Sequence, residues 1–513
     1  MKLVAWISWL LLLLLLPSSQ NGVFHIQGSS QAEYLYNLIM SRSTQHSEEW
    51  PELEDAELAI SAFSANIEAQ EGSMEADKID ALPGQPAGVK FNQYSGYVTV
   101  DRKAGRSLFY YFAESPHNSS TNPLVLWLTG GPGCSSLGSG ALDELGPFRV
   151  NSDGKTLFEN DYSWNKVANM LFLESPAGVG FSYSNTSSDY DITGDKSSAK
   201  DAYTFLINWL ERFPHYKNRD FYITGESYGG HFVPQLAYTI LAHNNKPNRP
   251  FINLKGIATG NPLLDIVITL KSIYEYLWTH ALISDETYSV ISKECDYIHM
   301  NISATCGLYQ AKAVMEMGLV SLADIYTNYC FNDVPKQQCH GLGYNPCSAG
   351  YVISYLNQEE VQKALHAIKT FWIVCSPKVG SSHWKDSAIT TLPIVKQLIA
   401  KKLKIWIYSG DTDALLSVAS TRYAIKAMKL PVEVAWRAWH CDGCKDVGGY
   451  VEGYKGLTLV TIRGAGHSAP SYQPERAFTM ISSFLQGKLP PPFRDLYIHK
   501  QGTIPLLMQQ EGS

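Results

Sequence analysis

The stretch Phe221-Tyr222-Ile223-Thr224-Gly225-Glu226-Ser227-Tyr228-Gly229-Gly230 constrains this chain more than any other. Its first four residues read as a buried strand, and G-x-S-x-G comes at once after them. A helix-capable run, His231 to Ala242, comes next. Strand, tight turn and helix in that order make a nucleophile elbow. Flanking glycines admit a crowded backbone, and the serine side chain is thrust out at the carboxyl end of a sheet. A bare G-x-S-x-G arises by chance and would then be a Gly-rich turn. Its setting is what points to catalysis, with Ser227 as nucleophile.

Such an elbow needs a sheet around it. Short apolar runs bounded by turn signals recur at Leu124 to Leu128, Met170 to Leu173, Leu254 to Ala258, Ile405 to Tyr408 and Leu457 to Ile462. They suit strands buried on both faces of a parallel sheet. Helical patterns lie between them. Ala202, Phe205, Leu206, Trp209, Leu210 and Phe213 fall at helical spacing, and Pro214 ends the helix. The alternation predicts an open α/β sheet. Residues 265–350 break the rhythm and hold five of the nine Cys, so they read as an insertion stapled by disulfides.

A serine hydroxyl needs a base, and the base needs an orienting acid. The chain order expected on this elbow is Ser, then Asp or Glu, then His. The run ending at Ser409 leads into Gly410-Asp411-Thr412-Asp413, and the run ending at Arg463 leads into Gly464-Ala465-Gly466-His467. His467 stands apart among 14 His because a strand and a Gly-rich loop deliver it. Local sequence does not decide between Asp411 and Asp413, since an Asp there can simply cap the next helix. The Gly130-Gly131-Pro132-Gly133 loop also comes after a strand. The backbone N–H groups of Gly131 and Tyr228 are candidates for an oxyanion hole. The loop lacks the Lys-Ser/Thr of a phosphate cradle.

The rest of the chain bounds the setting. Among 513 residues, 45% are hydrophobic and 17% charged, a core-forming composition. The net charge of −7 advertises no nucleic-acid face. Residues 1–22 read as a signal peptide: Lys2, then the apolar run Leu3 to Leu16, then a small-polar exit. Residues 23–82 hold 12 acidic residues against Arg42 and Lys78, with one helix-like piece near Ala32 to Met40. This segment reads as a pro-segment or a disordered arm. The core is expected over 83–264 and 351–488, with a tail at 489–513. In an oxidising compartment the cysteines should mostly pair. Cys441 and Cys444 form a lone CxxC with no second pair for zinc, so a local disulfide is the plainer reading. No metal and no cofactor is expected. Asn118, Asn185 and Asn301 are sequons for glycosylation.

Six stretches carry a resemblance. They are Gly-Gly-Pro-Gly-Cys-Ser-Ser (130–136), Glu-Leu-Gly-Pro-Phe (144–148), Glu-Ser-Pro-Ala-Gly-Val-Gly-Phe-Ser-Tyr (174–183), Gly-Glu-Ser-Tyr (225–228), Ser-Gly-Asp-Thr-Asp (409–413) and Gly-Ala-Gly-His (464–467). Over about 85 to 488 the chain resembles the serine carboxypeptidases, plant members above all. The resemblance implies an α/β-hydrolase fold: a mostly parallel sheet, helices on both faces, and an inserted disulfide-stapled helical cap. It implies Asp413 as the catalytic acid beside Ser227 and His467.

The same resemblance implies a site for the substrate's C-terminal carboxylate at Thr129, Gly130, Glu144 and Glu226. Two close carboxyls raise one another's pKa and retain a proton, and a protonated carboxyl donates instead of repelling. Acidic working pH is then expected, suited to a vacuole or a secreted setting. The family pattern Trp-Leu-Asn-Gly-Gly is here Trp127-Leu128-Thr129-Gly130-Gly131. Thr at this position also resembles acyltransferase relatives that use acyl-glucose donors. Those usually carry Asp before the nucleophile, where this chain has Glu226. Cys134–Cys375, Cys295–Cys306 and Cys330–Cys347 are the disulfides implied, with Cys339 unassigned. The expected partners are peptides or proteins, with no nucleic acid and no membrane after signal cleavage; a homodimer is one assembly this reading allows. The expected function is a serine carboxypeptidase zymogen; the alternatives are an acyltransferase and a non-catalytic secreted binding protein of the same fold.

Overall fold

The computed structural model describes residues 31–41, 50–53, 67, 70–244, 250–299, 301–328, 330, 344–380, 384–441, 444 and 446–492. The signal segment 1–22, Cys339 and the tail beyond 492 lie outside the described residues. Twelve strands form one sheet. They are β1 (Lys78–Ile79), β2 (Gln93–Asp101), β3 (Arg106–Ala113), β4 (Leu124–Leu128), β5 (Asn169–Leu173), β6 (Tyr183–Ser184), β7 (Phe221–Glu226), β8 (Leu254–Gly260), β9 (Lys404–Gly410), β10 (Val432–Trp439), β11 (Gly449–Tyr454) and β12 (Leu457–Ile462). The spatial order is β1-β2-β3-β5-β4-β7-β8-β9-β12-β11-β10, with β6 on β3.

The six central strands, β5, β4, β7, β8, β9 and β12, run parallel. Every residue of β4, β5 and β7 is buried. Leu124, Leu126 and Leu128 enter one core, while Val125 and Trp127 enter the other. Continuous apolar runs result because both faces are covered. Helices α2 (Asp195–Arg212) and α3 (Gly229–Asn244) cover the first face, and a C-terminal helix, Pro474–Gln486, covers the second. This is the α/β-hydrolase architecture. The flanking strands β2, β3, β10 and β11 are antiparallel additions.

Parallel strands deliver their carboxyl ends to one edge. Thr129 comes directly after β4, Ser227 after β7, Asn261 after β8 and Asp411 after β9, and His467 lies five residues beyond the end of β12. Over this part of the molecule sits a helical insertion: Ile266–Thr279, Asp285–Glu294 and Ala304–Met317. Disulfides join Cys295 to Cys306 and Cys330 to Cys347 within it. Cys134 is bonded to Cys375, and Cys441 to Cys444. Among the described residues no helix is long and apolar enough to cross a membrane.

One expectation needs correction. A disordered arm does not describe the acidic segment where it is seen. Helix α1 (Gln31–Ser41) buries Ala32, Leu35, Leu38 and Ile39 in the core, a stripe at i, i+3, i+6 and i+7. Farther on, Asp77 accepts from Tyr110 Oη and from Arg212 Nη1, each at 2.6 Å, and β1 joins the sheet. Charge dominates the segment's composition, but its few apolar residues are spaced to dock.

Candidate active site

The turn after β7 places Ser227 at φ 62°, a conformation that costs a non-glycine residue about 1–3 kcal/mol. Three backbone bonds hold it there. Ser227 N–H donates to Gly260 O at 3.0 Å, and its carbonyl accepts from Leu263 N at 2.9 Å and Gly230 N at 3.0 Å. Gly225 has no room for a side chain, because a Cβ there would lie 2.4 Å from Leu128 O.

His467 Nδ1 and Asp413 Oδ2 are 2.8 Å apart. Asp413 Oδ1 also accepts from the backbone N–H groups of Leu415 (2.9 Å) and Leu416 (3.1 Å). Asp411 faces elsewhere and accepts from Gly464 N at 2.6 Å. The geometry thus separates two aspartates that local sequence left equivalent. Burial pulls the His467 imidazole pKa down, but the Asp413 carboxylate, with Glu226 behind it, outweighs burial and raises it. Ser227 Oγ and His467 Nε2 are both buried and have no hydrogen-bond partner among the described residues. A nucleophile–base bond often closes only around substrate.

The Gly130–Gly133 loop abuts the elbow. A Cβ on Gly130 would lie 2.4 Å from Tyr228 N. The loop is tied down by the Cys134–Cys375 disulfide and by paired backbone bonds, Ser135 N to Val374 O and Ser376 N to Gly133 O, both 2.8 Å. Glu174 braces the turn into the next helix: its buried carboxylate accepts from Ser135 Oγ, Leu137 N and Phe181 N. Burial pushes it up to about 7, against those hydrogen bonds.

Glu144 and Glu226 share one wall. Burial drives the Glu144 carboxyl well above the usual range, and the neighbouring Glu226 adds to this. Glu226 is pushed up to about 7 by burial, while His467 and hydrogen bonds from Glu144 and Ser468 work against the shift. Ser468 Oγ donates to Glu226 Oε1 at 3.2 Å. Thr129 is buried, and its hydroxyl accepts from Trp127 Nε1 at 2.8 Å. Thr129, Gly130, Glu226, Ser227 and His467 are thereby brought to one edge of the sheet. Asn118, Asn185 and Asn301 are exposed.

The serine carboxypeptidase family model matches residues 83–487, which hold the whole of this site. The chain belongs to the serine carboxypeptidase family. With that membership it is a serine-type hydrolase. It is 46% identical to serine carboxypeptidase-like 40 of Arabidopsis thaliana over 481 residues, covering 90% of this chain and 93% of that one. It is 49% identical to serine carboxypeptidase-like 27 over 426 residues (80% and 92%) and 46% identical to serine carboxypeptidase 24 over 452 (84% and 96%), both from the same plant. Among solved structures it resembles KEX1(delta)p, a prohormone-processing carboxypeptidase from Saccharomyces cerevisiae. The TM-score is 0.70 at 22% identity, covering 81% of this chain and 96% of that one, a likeness of fold.

Two groups escaped the sequence reading. Asn261 donates from Nδ2 to Asp413 Oδ2 at 2.9 Å and accepts Gly410 N–H at 3.0 Å. Asp195 opens α2 and sits behind the elbow, accepting from Tyr228 Oη (2.7 Å), Trp384 Nε1 (2.8 Å) and Gln235 Nε2 (2.6 Å). Burial alone would raise its carboxyl, but the His231 contact and these donors hold it below the usual value. Asn261 comes immediately after the β8 run, the one signal that could have flagged it. Asp195 carries no local signal.

Proposed function

We propose that the protein is a carboxypeptidase that removes C-terminal residues from peptides at acidic pH. The observation that carries this reading is the Glu144–Glu226 pair, two buried carboxyls with raised pKa values beside Ser227. Glu144 holds a proton well above the usual carboxylate range, and below about pH 7 Glu226 takes up one as well. With Gly130 N–H, a protonated carboxyl can then hold a free substrate carboxylate that an ionised pair would repel. Thr129 adds one hydroxyl proton.

Ser227 Oγ attacks the last peptide carbonyl while His467 Nε2 takes the hydroxyl proton. Asp413 holds the imidazole through Nδ1 and stabilises the imidazolium. The Gly131 and Tyr228 N–H groups receive the oxyanion. His467 then protonates the leaving amine, and the C–N bond breaks. Water, deprotonated by the same imidazole, hydrolyses the acyl-enzyme and restores Ser227. The substrates are peptides or proteins. Four disulfides and plant relatives support a secretory or vacuolar route, and the exposed Asn118, Asn185 and Asn301 support glycosylation.

A second reading, acyl transfer from an acyl-glucose to an alcohol, is favoured by one observation. Thr129 offers the carboxylate pocket a single hydroxyl proton, its oxygen accepting from Trp127 Nε1, and no amide NH2. Purified protein is incubated at acid pH with a blocked dipeptide, and separately with an acyl-glucose plus an alcohol. Release of the terminal amino acid, lost in Ser227→Ala, supports the peptidase. Ester formation without peptide cleavage overturns it.

A further inference from the structure

Helix α1 begins inside the site. Its first residue, Gln31, is buried, and its side-chain amide spans two groups of the carboxylate pocket. Oriented to match its neighbours, the amide oxygen accepts from Gly130 N at 3.2 Å and the amide nitrogen donates to Glu226 Oε1 at 2.9 Å. Gly130 N–H can only donate, so it dictates that orientation and turns the NH2 toward Glu226. Tyr34 Oη donates to Cys375 O at 3.2 Å, against the disulfide that anchors the oxyanion loop. Leu35, Leu38 and Ile39 are wholly buried beneath.

The same segment is fastened again farther along. Trp50 packs edge-on against Tyr238 of α3, with centroids 5.2 Å apart. Pro51 O accepts from Tyr238 Oη at 2.9 Å, and Leu53 N–H donates to Gln397 Oε1 at 2.7 Å. The apolar stripe and these polar ties make a docked strap. Ser227 has no exposed surface with it in place.

We propose that residues 31–41, with the anchor at 50–53, form an autoinhibitory strap whose Gln31 amide occupies the subsite for the substrate's terminal carboxylate and is released by acid. This rests on the carboxypeptidase reading of that subsite. The groups facing Glu226 are Glu144, His467, Asp413, Ser468, Tyr408 and Gln31. When Glu226 is ionised, the Gln31 NH2 makes a charge-assisted bond to it. Protonation reduces that bond to an ordinary one and gives Glu226 a proton to offer a substrate carboxylate. Acid therefore weakens the strap and strengthens its competitor together.

The test uses the full chain, Gln31→Ala, and Leu35→Asp/Leu38→Asp. Two readouts are taken near neutral pH and at acid pH: kcat/KM on a blocked free-acid dipeptide, and the rate at which a fluorophosphonate labels Ser227. Gln31→Ala should raise both about ten- to a hundredfold at neutral pH and much less in acid, the loss of one charge-assisted bond. The double variant should raise both further. Gln31→Ala labelling at the wild-type rate at neutral pH overturns the strap. Faster labelling with no peptide cleaved in any variant leaves the strap standing and sinks the peptidase reading instead.

Discussion

Asn261 Nδ2 and His467 Nδ1 converge on one atom, Asp413 Oδ2, at 2.9 and 2.8 Å. The Asp413 carboxylate that meets the His467 imidazole is thus itself oriented from the neighbouring strand. Asn261 is held at φ 37° by its N–H bond to Tyr408 O at 2.8 Å. Replacing Asn261 with Ala removes a donor from a buried carboxylate, a loss of about 1–3 kcal/mol. We expect kcat to fall about tenfold or more with KM little changed. The acid limb of the kcat profile should also move, because the Asp413–His467 contact sets it. A changed KM with an unmoved limb would assign Asn261 to packing alone.

Glu226 makes the pH dependence predictable. Its carboxyl rises from 4.5 to about 7 on folding. Between those values the folded protein holds a proton that the unfolded chain has lost. This group's contribution to stability therefore falls as pH rises through that window and is fully lost above it. Glu226→Gln cannot ionise. Its thermal midpoint should drop less than the wild type's from about pH 5 to about pH 8. KM for free-acid peptides should rise across the same window in the wild type and stay level in the variant. Parallel melting curves would remove Glu226 as the source.

Thr129→Asn tests the grip on the substrate. An Asn can give its side-chain oxygen to Trp127 Nε1, as the Thr hydroxyl does at 2.8 Å, and still turn an NH2 to the pocket. One added hydrogen bond of about 0.7–1.4 kcal/mol lowers KM roughly three- to tenfold for free-acid peptides. C-terminally amidated peptides should gain much less. Equal gains on both would place Thr129 away from the carboxylate.

The Cys134–Cys375 bond closes a loop of 241 residues. Cys134→Ser/Cys375→Ser should lose about 2–5 kcal/mol of stability, measured by denaturant unfolding. The Gly130–Gly133 loop keeps its Ser135–Val374 and Ser376–Gly133 backbone bonds, so activity per folded molecule should fall less than stability does. Both thiols alkylating freely in the native wild type would deny the bond.

What the residues alone determined is the frame. Phe221–Glu226 and the central parallel strands of its sheet carry short apolar runs because helices cover both faces, and that signal survives in one dimension. The elbow was legible from glycine placement at Gly225, where backbone crowding permits nothing larger. Strands β2 and β3 were not singled out, although β3 is buried at seven of its eight positions; β2 interleaves Ser, Gly and Thr with its aromatic and branched residues. The tertiary structure decided what depends on convergence. It set Asp413, which local pattern left level with Asp411 and only the family resemblance implied, against His467, brought Asn261 to the same oxygen, and buried Asp195 behind Tyr228. It also turned a helix from an acidic, foreign-looking segment into the pocket at Glu226. Each of these joins residues far apart in the chain through hydrogen bonds whose direction only the folded backbone sets, so no local pattern can carry them.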